Sequence, residues 1–124
     1  MDLRPTILIV DDDGQIRKLM QLFLELAGYT VILASDGREA VELFELNRCS
    51  IALTITDVSM PGDMGGFDVA DFILDADPAM PLLFMSGTVP EADRGYGCLS
   101  KPFNYAEVCR RVRDALSATP GRAA

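Results

Sequence analysis

The sequence predicts a three-layer α/β sandwich built on a five-stranded parallel sheet, and three observations carry that prediction. Five short apolar, β-branched runs alternate along the chain with stretches whose apolar residues recur at helical spacing. The runs are apolar almost throughout, as strands covered on both faces must be. Several end in a carboxylate, a hydroxyl or an ammonium, and in an open parallel sheet with right-handed crossovers all such ends share the edge where ligands bind.

The first run, Thr6 to Asp11, leads into the acidic turn Asp11-Asp12-Asp13-Gly14. From Gln15 to Ala27 the residues Ile16, Leu19, Met20, Phe23, Leu26 and Ala27 fall on one helical face, and Gly28 is the expected stop. Leu22 and Leu24 lie about 100° to either side of that face. They are expected to pack at the flanks of a wide stripe, with a docking surface as the alternative.

Tyr29 to Ala34 is the second run, and Asp36-Gly37-Arg38-Glu39 has the form of a capping box for a helix turning Ala40, Val41, Leu43, Phe44 and Leu46 inward. Ile51 to Asp57 is the third and most apolar run, closed by Val58-Ser59-Met60-Pro61-Gly62. A short helix from Phe67 to Leu74 follows, ending before Asp77-Pro78. Pro81 to Ser86 is the fourth run. Gly87 to Gly97 is rich in Gly and charge, so at most one helical turn is expected there. Gly97 to Ser100 is a brief fifth run before Lys101-Pro102-Phe103. Asn104, with Glu107 three residues on, caps a last helix burying Val108, Cys109, Val112, Ala115 and Leu116.

Composition narrows the chemistry. The 124 residues fit a single domain over 1–124, with a core from about 6 to 117 and a frayed tail at 118–124. No apolar run nears the roughly 20 residues of a membrane span and no secretory pattern opens the chain, so a cytoplasmic protein without a membrane partner is expected. A net charge of -8 argues against nucleic acid as a partner. Histidine is absent, which removes imidazole catalysis and imidazole metal ligands. The three cysteines, Cys49, Cys98 and Cys109, lack metal or disulfide spacing and read as small packing residues.

A parallel sheet brings Asp11, Asp12, Asp57, Ser86 and Lys101 to one edge. Carboxylates a few ångström apart repel by about 4 kcal/mol per close pair at an effective dielectric near 20, so three of them need a cation. Oxygen donors without His or Cys suit Mg²⁺. With charge neutralised by the ion and by Lys101, the Asp57 carboxylate can attack phosphorus. Ser86 can then hydrogen-bond to the phosphoryl group, a bond that exists only in the modified state.

Ile-Leu-Ile-Val-Asp-Asp, Thr-Asp-Val-Ser-Met-Pro-Gly, Leu-Phe-Met-Ser-Gly and Leu-Ser-Lys-Pro-Phe occur in that order between about Ile7 and Leu116. In these motifs the chain resembles a response-regulator receiver domain of two-component signalling. The resemblance implies the flavodoxin-like strand order 2-1-3-4-5, for which a member of this family is a standard illustration. It implies Asp57 as phosphoacceptor, Ser86 as switch hydroxyl and Lys101 as phosphate-binding cation. Mg²⁺ would be held by Asp12, Asp57 and the backbone carbonyl of Ser59, with Asp11 acting mainly through water. The donor would be a histidine kinase or a histidine phosphotransfer protein, the output a downstream protein target, and the chain a monomer or weak dimer rather than an enzyme in its own right. A cis Lys101-Pro102 bond, aiming the lysine into the site, is also implied.

Three features depart from the family pattern. Only Gly87 to Ser100 separates Ser86 from Lys101, so the family's fourth helix is expected to be short or absent. Cys98 stands at the switch-aromatic position, with Tyr96 displaced two residues along the strand. The loop after Asp57 is one residue longer, with Asp63 and the pair Gly65-Gly66. Weakened hydroxyl-aromatic coupling is expected, with readout moved to another surface such as the first helix.

Three rival functions share parts of this pattern. A haloacid-dehalogenase-like phosphohydrolase would carry its nucleophile on the first strand and a second aspartate two residues on, where this chain has Ser59. A flavodoxin-like nucleotide or flavin binder needs a Gly/Ser/Thr-rich phosphate cradle where this chain has three aspartates. A phosphorylation-independent binding module of the same fold is the remaining alternative. With no output domain expected after Leu116, a relay, an adaptor or a phosphate sink are the expected roles, and a receiver cut from a larger kinase is a further one.

Overall fold

The computed structural model, which describes residues 4–87 and 97–117, folds the five apolar runs into β1 (Thr6–Val10), β2 (Thr30–Ala34), β3 (Ile51–Asp57), β4 (Leu82–Ser86) and β5 (Cys98–Ser100). Between and after them run α1 (Gly14–Leu26), α2 (Gly37–Asn47), α3 (Gly66–Ala76) and α4 (Tyr105–Ser117). The strands pair in parallel in the order β2-β1-β3-β4-β5, which puts β3 at the centre.

Strand alternation sorts the core into two layers. Ile7, Ile9, Leu53, Ile55, Leu83 and Met85 face Met20 and Leu24 of α1 and Val108 and Val112 of α4. Leu8 and Val10 face Ala40 and Phe44 of α2 and Val69 and Ile73 of α3, while Leu82 and Phe84 pack with Ala70. Helices cover both faces of the sheet, so the inner strands are buried almost throughout, while β2 at the edge is largely half-buried.

The helix starts follow the capping logic. Asp13 Oδ1 accepts from the Gln15 N–H at 2.8 Å, Asp36 Oδ1 from Glu39 N–H at 2.8 Å, and Asn104 Oδ1 from Glu107 N–H at 3.1 Å. The return half of the expected box at α2 goes elsewhere: Glu39 Oε1 accepts from the backbone N–H and the hydroxyl of Ser35, at 2.6 and 2.9 Å.

Several expectations are corrected. The buried stripe of α1 runs through Ile16, Met20, Phe23 and Leu24, rotated by about 40° from the face read in the sequence. Leu24 is therefore core, whereas Leu22 is exposed and Leu26 is 68% exposed. Leu46, expected inside, is 81% exposed, since it lies about 200° around the helix from the Phe44 anchor. α3 is longer at both ends than the Phe67 to Leu74 span. Cys49 is exposed rather than packed; Cys98 and Cys109 are half-buried, and all three are free thiols. The expectation of a short or absent helix after Ser86, Tyr96 and the tail at 118–124 lie outside the described residues. Among the described residues no helix is long and apolar enough to cross a membrane.

Candidate functional site

The carboxyl ends of β1, β3 and β4 and the residue after β5 meet at one edge of the sheet. Asp11 follows β1 directly, fully buried, and its backbone N–H donates to Ala34 O at 3.2 Å. Its Oδ1 accepts from Asp13 N–H at 2.9 Å. Asp57 ends β3 and is 8% exposed; Val58 N–H continues the ladder to Met85 O at 3.1 Å. One oxygen from each of Asp11, Asp12 and Asp57 lies within 4.8 Å of the others.

Lys101 supplies the countercharge. Its Nζ is 3.1 Å from Asp11 Oδ2 and 3.4 Å from Asp57 Oδ1. Asp11 Oδ2 is buried and makes no aligned hydrogen bond, so the ion pair is its one described attachment. Lys101 N–H donates to Ser86 O at 3.0 Å, which places the lysine and the buried serine at the same level of the edge. The Lys101-Pro102 bond is cis, as expected.

The electrostatics follow from this crowding. Burial is the main force raising the Asp57 carboxyl above its usual range, and Asp11 adds to it; Lys101 opposes both without cancelling them. Burial alone would lower the Lys101 ammonium, but Asp11 and Asp57 outweigh it and hold the group above its ordinary value. A site in which an anion is disfavoured while a lysine is fixed as a cation has room for more positive charge.

A divalent ion fits that need. Three carboxylate oxygens are gathered, Asp11 carries a buried Oδ2 lacking a hydrogen bond, and the group holds carboxylates alone among the described residues. Hard oxygen donors in small number are the chemistry of Mg²⁺. Asp12 is exposed, so the cluster opens to solvent on that side. Ser59 lies in the exposed loop two residues past Asp57.

Two neighbours of the site had escaped the sequence reading. Arg17 Nη1 donates to Asp11 O at 2.8 Å, fixing the peptide that carries the acidic pair. Its position on the first turns of α1 was a signal, since that part of the helix must lie beside Asp11. Gly66 begins α3 against the end of β3: a Cβ there would stand 1.9 Å from Asp57 O, and its N–H donates to Val58 O at 3.0 Å. The glycine pair was visible in the sequence, but its reason was not.

A central parallel strand ending in a carboxylate, flanked by an acidic pair and a lysine, defines a receiver-type α/β domain. The sequence profile described as response regulator receiver domain matches residues 7–113. The C4-dicarboxylate transport transcriptional regulatory protein DctD of Rhizobium meliloti is 34% identical over 122 residues, covering 93% of this chain and 26% of that protein. CpxR of Escherichia coli is 34% identical over 117 residues, covering 89% of this chain and 48% of the relative. The chain thus spans roughly a quarter to a half of the length of these curated relatives. Among solved structures, Vibrio cholerae chemotaxis protein CheY4 superposes with a TM-score of 0.82 at 30% identity, covering 90% of this chain and 98% of that one. A response regulator receiver protein from Sinorhizobium medicae gives 0.85 at 27% identity, covering 94% and 98%. The chain belongs to the response regulator receiver domain family.

Proposed function

We propose that this chain is a phosphoryl-accepting switch in which Asp57 receives a phosphoryl group from the phosphohistidine of a histidine kinase or histidine phosphotransfer protein. The observation that carries the reading is the placement of the Lys101 ammonium between the buried carboxylates of Asp11 and Asp57. As the bond from an Asp57 oxygen to phosphorus forms, the bond from phosphorus to the donor imidazole breaks, and Lys101 turns from its carboxylate partners to the phosphoryl oxygens. Asp12, Asp57 and the Ser59 carbonyl would hold Mg²⁺, with Asp11 acting mainly through water; the ion supplies charge neutralisation for the equatorial oxygens. Ser86, buried at the end of β4, donates its hydroxyl to the product.

Output follows as changed affinity for a downstream protein, so the chain acts as a cytoplasmic switch, monomeric or weakly dimeric, and not as a turnover enzyme. The single-domain reading of 1–124 belongs to this proposal. Ser59, where a hydrolase of similar chemistry carries a second aspartate, favours a persisting phosphoryl group. Intact mass of the protein incubated with Mg²⁺ and acetyl phosphate tests the reading. One added phosphate that requires Mg²⁺ and is absent from Asp57→Asn is expected; no adduct would leave a phosphorylation-independent module, and steady phosphate release without an adduct would indicate a hydrolase.

A further inference from the structure

The loop that leaves Asp57 is tied down at a point remote from the carboxylates. Arg38, on the first turn of α2, meets Asp63 through both partners' forks: Nε donates to Oδ1 at 3.2 Å and Nη2 to Oδ2. The residue before Arg38 and the residue after Asp63 approach closely too, since a Cβ on Gly37 would stand 2.5 Å from the Met64 Cβ and 2.8 Å from the Met64 O. Met60 and Met64 pack on the α2–α3 side of the core. Both ends of the loop are fixed by β3 and α3, through Gly66 N–H to Val58 O and Gly65 N–H to Asp68 Oδ2 at 2.9 Å. Its crest, Pro61-Gly62 with Gly62 at φ 98°, lines a cavity together with Asp36, Gly37 and Arg38 at the α2 start. The Arg38 contact holds the Asp63 carboxyl below the usual carboxylate range.

We infer that Arg38 is a positioning residue for the phosphoacceptor loop, acting through Asp63 to hold the Ser59 segment beside Asp57. The inference rests on the proposed phosphoryl chemistry and adds the residue pair that sets the loop's stiffness. A bidentate pair that closes a loop restrains more than a single surface contact, because its planar fork fixes direction as well as distance. The same pair is open to solvent, so a partner offering a carboxylate to Arg38 or a cation to Asp63 unlatches the loop without touching the carboxylate cluster. Salt weakens it in the same way.

The test compares wild type, Arg38→Ala, Asp63→Asn and the charge-exchanged double variant R38D/D63R. Amide exchange across 58–65 is measured in metal-free protein, and Mg²⁺ affinity is measured by calorimetry at low salt. Each single variant is expected to speed exchange in that loop alone and to weaken Mg²⁺ about threefold to fivefold, the scale of a well-formed exposed pair; the double variant is expected to recover most of both. Unchanged exchange, unchanged affinity, or a double variant no better than the singles overturns the role of Arg38. The wild-type phosphate adduct is read in parallel: its absence removes the phosphoryl reading, and the assigned role with it, whatever the exchange data show, whereas a normal adduct with unchanged variants removes only the latch.

Discussion

The Lys101 ammonium stands 3.1 Å from the buried Asp11 Oδ2, closer than its 3.4 Å approach to Asp57. This lysine is first the partner of Asp11 and second that of Asp57. Lys101→Met leaves two buried carboxylates facing each other. With the lysine 25% exposed, the loss falls below the several kcal/mol of a fully buried pair, and about 2 kcal/mol at pH 7 is expected from urea unfolding. Acetyl-phosphate labelling of the same variant is expected to fall at least tenfold.

Mg²⁺ is expected to stabilise the wild type by filling the acidic cluster. At a hundredfold excess over its dissociation constant a ligand of the native state contributes about 2.7 kcal/mol. Thermal unfolding with Mg²⁺ and with EDTA reads this directly. Asp12→Ala, which removes the exposed carboxylate of the cluster, is expected to lose most of the difference.

Asp57→Asn in metal-free protein is expected to raise stability at neutral pH. Burial and Asp11 raise the Asp57 pKa, so the native state disfavours its anion relative to the unfolded chain. The sign follows: the penalty is fully present above the raised native value, shrinks as pH falls through it, and is gone below the ordinary carboxyl value of about 3.9. A wild-type–variant gap in Tm that closes between neutral and strongly acidic pH is expected; a gap constant with pH would remove the electrostatic cause.

Gly66→Ala places a methyl 1.9 Å from Asp57 O and 2.9 Å from the Val58 Cα, both backbone atoms. Either the α3 start or the end of β3 must move. A loss of about 2–3 kcal/mol in stability is expected, as for overpacking, together with slower acetyl-phosphate labelling because the displaced backbone carries Asp57.

These expectations separate what the sequence could tell from what it could not. β3 and its terminal carboxylate were legible because a doubly covered strand leaves a continuous apolar run, and the end of such a run is unambiguous. The gathering of Asp11, Asp12, Asp57, Ser86 and Lys101 followed from parallel topology alone. Leu26 and Leu46 misled because each lies about 200° around its helix from the side chain that anchors it, Leu24 and Phe44, so the buried face was rotated from the one read in the sequence. Arg38 was silent because its partner is an aspartate 25 residues away, a contact that no local pattern encodes, whereas Arg17 stands on the first turns of α1 beside Asp11.

The strand order carries a mechanical consequence. β3 has a neighbour on each side and every residue but Ala52 buried, whereas β5 is three residues long and hangs from β4 alone. A charge added at Asp57 is therefore applied to the stiffest member of the sheet, like a load at the hub of a wheel. Support within the sheet is thus greatest where Asp57 sits and least at the β5 rim.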